Sequence, residues 1–187
     1  MKLFLAVATA IVLSACTSEP PLRFNAAPEA TSERVRIAYQ TVSVREVELP
    51  IYAATEEISR QSADGSVSSD TANLWADDPA RAITLDLART LRDISGARVA
   101  PDPWPFQTRP EVVVDVRFEE LVPSANGQYR ATGLYFVAPD DEGRAEHAHA
   151  FDLSVTFDPE AGFESVAASR TKLVTMLALD IARTALR

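Results

Sequence analysis

"EVVVDVRFEEL", residues 111–121, is the stretch that decides how this chain folds. Val112, Val114, Val116 and Phe118 fall on alternate positions, with Asp115 and Arg117 among the residues between them. Successive side chains of a strand point to opposite faces, so this is a strand with one face to bury. Such a face needs neighbours, and two more strand-like runs follow: "GQYRATGLYFVAP" at 127–139 and "HAHAFDLSVTF" at 147–157. The joints, "PSANG" and "PDDEG", carry turn residues. Consecutive strands on short turns predict an antiparallel three-strand meander.

Working outward, two helical segments flank these strands. In "NLWADDPARAITLDLARTLRDISG", residues 73–96, Asp78 is placed as an N-cap and Pro79 at the first helical position. Ile83, Leu87, Leu91 and Ile94 then form one apolar stripe, and Gly96 ends it. The closing segment, residues 163–187, sets Val166, Leu173, Leu177 and Ile181 along one side. The fold expected is α+β: an antiparallel sheet with the meander and two main helices packed on one face. Before the first helix, residues 34–50 alternate with a phase slip, as a kinked strand would. "EEISRQSADGSVSSD" reads as a weak hairpin turning at 63–65, and the three prolines of "PDPWPF", 101–106, exclude regular structure.

The N-terminus has a different logic. Lys2 is followed by an uncharged apolar run to Leu13, too short to span a bilayer. With the small residues after it, this describes a secretory signal over residues 1–15. "LSAC" at 13–16 resembles a bacterial lipobox, which makes Cys16, the single cysteine, the lipidated residue. Thr17, rather than Asp, after the cysteine directs the protein towards the periplasmic face of the outer membrane, with the inner membrane as the lesser choice. Residues 16–33, rich in Pro, Ala, Ser, Thr and Glu, are expected to be a flexible tether, and 34–187 a single domain.

Composition removes several functions. A net charge of −9 argues against nucleic acid, whose phosphates require clustered Lys and Arg. It also argues against a peripheral grip on anionic lipid, so the membrane contact expected is the covalent one at Cys16. His147 and His149 share a strand face, but the chain holds no other histidine, and a zinc site needs three or four protein ligands. Asp77 and Asp78 are explained by helix capping. No G-x-S-x-G elbow and no Gly-rich phosphate loop occurs. The expectation is therefore no enzyme, no metal and no cofactor. Trp75, Trp104 and Tyr52 lie beside proline-bearing breaks, where a large ring either covers the core or anchors a partner.

The order of these segments resembles one family. "VELPIYA" at 47–53, the Trp-led, Asp/Pro-capped helix, "PWPF", "VDVRFEEL", a "GLYFV" strand and a closing helix, all behind a lipobox, are similar to the PqiC-type ABC-transporter auxiliary lipoproteins. The resemblance implies a non-catalytic periplasmic lipoprotein. It would work with an MCE-domain protein, and with ABC permease and ATPase subunits, in lipid transport between the membranes. Homo-oligomers are compatible with it. Cys16 matches the family's lipidated cysteine; Leu49, Pro50, Tyr52 and Trp75 match recurrent positions and are the candidate partner interface. The rival readings are a pilot-like assembly lipoprotein, which shares the anchor, and an envelope hydrolase built on His147 or His149.

Overall fold

A computed structural model of the protein describes residues 20–26, 31–141 and 143–187. The expected signal segment, Cys16 and Thr17 lie outside them. Among the described residues the alternating stretch becomes a long strand at the middle of a five-stranded sheet. In chain order the strands are β1 (Leu22–Phe24), β2 (Thr41–Val44), β3 (Glu57–Gln61), β4 (Val67–Trp75), β5 (Arg98–Pro101), β6 (Val112–Pro123), β7 (Gln128–Pro139) and β8 (His147–Thr156). The two main helices are α1 (Pro79–Ser95) and α2 (Gly162–Thr184).

The large sheet runs β5-β2-β6-β7-β8, and a smaller one runs β1-β4-β3. Neither is purely antiparallel, which corrects the expectation from the sequence. β6 pairs antiparallel with β7, and β7 with β8, but β2 is parallel to both of its neighbours, β5 and β6. In the small sheet β1 is parallel to β4, and β3 antiparallel to it. The cause is topological. The chain leaves β2, passes through α1, and returns to β5 at the end where β2 began; a helical crossover makes parallel neighbours. The kinked strand expected over 34–50 is regular only at Thr41–Val44, with a bridge from Glu48 to Arg117 beyond the interruption. The stretch read as tether is partly folded: Leu22–Phe24 pairs with 73–75, and Ala26 is buried. Three residues of strand gain their order from a distant partner, which local composition does not reveal.

β6 carries one irregularity. Phe118 pairs with Gly133 and Glu120 with Thr132, so Glu119 bulges out of register. Here the β6 backbone comes so close that a Cβ on Gly133 would sit 2.1 Å from the Arg117 carbonyl oxygen. Beyond the bulge the side chains change phase, and Leu121 and Val122 are both buried.

The core lies between the large sheet and the helices. Val42, Val44, Val114, Val116, Tyr135 and Val137 meet Ile83, Leu87, Leu91, Leu177 and Ile181, all buried. α1 begins as its sequence predicts: Arg81 N donates to Asp78 Oδ1 at 2.8 Å, with Pro79 in the first turn. It ends at Gly96, whose φ of 71° is a left-handed conformation that suits glycine. The two helices run in the same direction. Their starts lie together, where Phe24 of β1 meets Phe163 with ring centres 5.6 Å apart. Their ends lie together too: Val35 N donates to Ile94 O at 2.9 Å and Ala38 N to Leu186 O at 2.7 Å. The domain therefore has a helix N-terminal end and a helix C-terminal end.

Candidate functional site

The "LPIY" segment forms a turn at the helix N-terminal end. Just before it, Val47 is buried and its N donates to Thr84 Oγ1 of α1 at 3.0 Å. Glu48 is held on β6 by Glu48 N to Val116 O at 3.0 Å and Phe118 N to Glu48 O at 2.9 Å. Pro50 then stops the ladder, since it has no N–H to offer. Ile51–Ala53 close a single 3-10 turn, with Ala53 N donating to Pro50 O at 2.8 Å.

Each residue of this turn faces differently. Leu49 is half-buried against the core and Pro50 is half-buried. Tyr52 is half-buried and held at both ends. Leu121 N donates to its hydroxyl at 3.3 Å, and Ser59 Oγ donates to its carbonyl at 2.7 Å. Burial raises the Tyr52 pKa, with the Glu120 charge adding to it against the opposing Leu121 bond. Ile51, between Pro50 and Tyr52, is 88% exposed. An isoleucine this open, on a turn so firmly fixed, is the most prominent apolar point of the described surface.

Beneath the turn lies an enclosed cluster. Tyr52, Trp75, Ile83, Tyr129 and Arg170 line a cavity of about 10 Å3, room for one water. Trp75 is only 5% exposed, and the Arg170 guanidinium lies 3.8 Å from the centre of its ring. Trp75 thus packs in the core and presents no surface to a partner. Arg170 is 3% exposed and its Nη1 has no hydrogen-bond partner among the described residues. Burial pulls its pKa down, against the pull of Tyr129, Asp86 and Asp77. The same burial pushes the Tyr129 hydroxyl up to about 12 and raises the Asp86 carboxyl, although Arg89 pairs with the latter at 3.0 Å. A desolvated cation over an indole joins β4 to α2, a contact worth about 2 kcal/mol.

The other candidates resolve into structural roles. Asp78 caps α1, and Asp77 pairs with Arg81 one turn on. His147 stacks on His149 at 5.9 Å, and His149 on Tyr135 at 5.3 Å. The Tyr135 hydroxyl donates to Asp180 at 2.9 Å. Among the described residues no group of three or more His, Cys, Asp or Glu side chains is placed to hold a metal ion. Trp104 packs edge-on against Phe106 at 4.9 Å and donates to Thr108 O at 2.6 Å, within its own loop. The sequence reading missed Ile51 and Arg170. Nothing in the pattern around Ile51 marks it as open. Arg170 did leave a signal: it lies four residues after Val166 and three before Leu173, on the buried stripe of α2.

The domain is of the α+β class, with two helices against a mixed five-stranded sheet and a fixed, apolar-tipped turn at one end. The chain is a member of the family of ABC-type transport auxiliary lipoprotein components, whose model matches residues 22–182. No curated protein matches the sequence significantly. Two solved structures share the fold. One, described as an uncharacterized protein, is 16% identical with a TM-score of 0.71, covering 88% of this chain and 97% of its own. The other, from Xanthomonas campestris and assigned to DUF330, is 12% identical with a TM-score of 0.59, covering 90% of this chain and 94% of its own.

Proposed function

We propose that this protein is a non-catalytic lipoprotein subunit on the periplasmic face of the outer membrane, serving an ABC/MCE-type system that moves lipid between the membranes and so supports outer-membrane integrity. Family membership across residues 22–182 carries the reading. Cys16 is the acylated residue. Pro20 lies only four positions further on, a reach of at most about 14 Å. The helix N-terminal end, where β1 lies, therefore faces the membrane. Leu49, Pro50, Tyr52 and the exposed Ile51 form the surface offered to an MCE-domain partner, and Trp75 supports that surface from below. Tethering raises the local concentration of the domain, so a small apolar contact suffices to hold the assembly.

The test has two arms. Cys16→Ser abolishes incorporation of a labelled fatty acid; label retained on the variant refutes the anchor. Pull-down from detergent-solubilised envelopes recovers an MCE-domain protein with the native chain and markedly less with Ile51→Ser. Recovery of a secretin instead points to the pilot-like reading.

A further inference from the structure

At the helix C-terminal end two chain segments are pinned together twice and part between the pins. Val35 N bonds Ile94 O at 2.9 Å, and Arg98 N bonds Gln40 O at 2.8 Å. Between them, one segment leans towards α2 through the Ala38–Leu186 bond, while the other rounds the left-handed Gly96. The gap is an open groove of about 1110 Å3.

Its charge runs against that of the whole chain. The protein carries −9, yet the groove is lined by Arg34, Arg36, Arg92 and Arg98, with Glu111 as the one carboxylate of the lining. Arg92 is paired with Asp93 at 3.1 Å and Arg34 donates to the Glu33 carbonyl at 2.9 Å, which leaves Arg36 and Arg98. Glu111 is already engaged, accepting from Gln40 N at 2.6 Å. Arg36 is exposed and makes no hydrogen bond or ion pair among the described residues. Arg98 lies over the Phe106 ring at 5.2 Å with no carboxylate partner among them. Arg34 and Arg36 come from one wall, Arg92 and Arg98 from the other.

We propose that this groove docks an extended acidic segment of a protein partner. Guanidinium groups bind carboxylates as paired forks, so arginines on two walls suit a chain that presents carboxylates on both sides. Of the apolar residues of the lining, Val35, Tyr39 and Ile94 are buried and Ile37 and Ala97 half-buried, whereas the exposed side chains are the four arginines, Gln40 and Glu111. The groove also lies at the opposite end of the domain from Phe24 of β1, so under the anchoring proposed above it faces away from the membrane. That orientation rests on the anchoring proposal; the charge argument does not.

The experiment uses the full lipidated chain in neutral detergent and a fluorescein-labelled oligoglutamate, read by anisotropy. The peptide binds, and raised salt weakens it, because exposed charges are screened. Arg36→Ala weakens it about tenfold, the usual effect of losing a charged hydrogen-bonding group. Arg36→Ala with Arg98→Ala weakens it further, while the unfolding midpoint stays unchanged. Oligolysine, drawn to the acidic remainder of the chain, is not weakened in its binding by Arg36→Ala. Failure of oligoglutamate to bind, equal affinity in the variants, or Arg36-dependent binding to phosphatidylglycerol vesicles in place of the peptide overturns the proposal. Because the readout needs no MCE protein, it stands or falls separately from the pull-down.

Discussion

The two ends of the helices use arginine in opposite ways. At the N-terminal end Arg170 is sealed beneath Trp75, Tyr129 and the "LPIY" turn, and its charge is met mainly by an aromatic face. At the C-terminal end Arg36 and Arg98 stand open on a groove. Dehydration makes the first a structural clamp, since a desolvated cation over an indole is strongly held. Hydration leaves the others nearly neutral to stability and available for recognition. The number of arginines at a surface is therefore a poor guide to function; their access to water is a better one.

Substitutions test this contrast from the largest effect to the smallest. Trp75→Ala removes the ring beneath the turn and the platform of Arg170, and should cost about 3–5 kcal/mol in urea unfolding. A cost below about 1 kcal/mol would mean that Arg170 finds another partner and that the clamp is no clamp. At the opposite end, Gly96→Ala meets no atom within 4 Å but must keep a positive φ. Backbone strain alone should cost about 1–2 kcal/mol, which thermal unfolding would register. Asp78→Ala removes the cap at the start of the same helix and should cost about 1 kcal/mol. An unshifted midpoint would show that Asp77 takes over the capping. Ile51→Ser should leave stability within about 0.5 kcal/mol, as for other open positions. A larger loss would show that Ile51 packs, and the turn would cease to be a candidate surface.

Local structure was the legible part of this fold. The start and end of α1, its apolar stripe and the long strands β6, β7 and β8 follow from capping residues and periodicity, which involve near neighbours in sequence. What stayed hidden depends on distant pairing. Leu22–Phe24 is a strand because residues 73–75 are beside it, and Arg98–Pro101 because β2 is. The parallel pairings of β2 follow from the route of the chain through α1, and residues 41–44 carry no mark of it. The site divides the same way. The turn at Pro50 is written in its own residues, so the neighbourhood of Leu49 and Tyr52 could be picked out. That Trp75 lies inside depends on Arg170, 95 positions further on by number (170 − 75). Ile51 is exposed because its neighbours are tied down by Ser59 and Leu121, which no local pattern expresses.

The shared direction of α1 and α2 has an electrical consequence. Antiparallel helices cancel one another's peptide dipoles, whereas parallel helices add them. Each contributes roughly half an elementary charge at either terminus, so about one unit of negative charge gathers where both helices stop. Arg92 in the last turn of α1 and Arg183 in the last turn of α2 stand at that place and offset it. Part of the positive charge around the groove thus answers the helices' own field. The guanidinium groups left to act outward are Arg36 and Arg98, since Arg34, the other one that neither helix supplies, is bonded to the backbone carbonyls of Thr31 and Glu33.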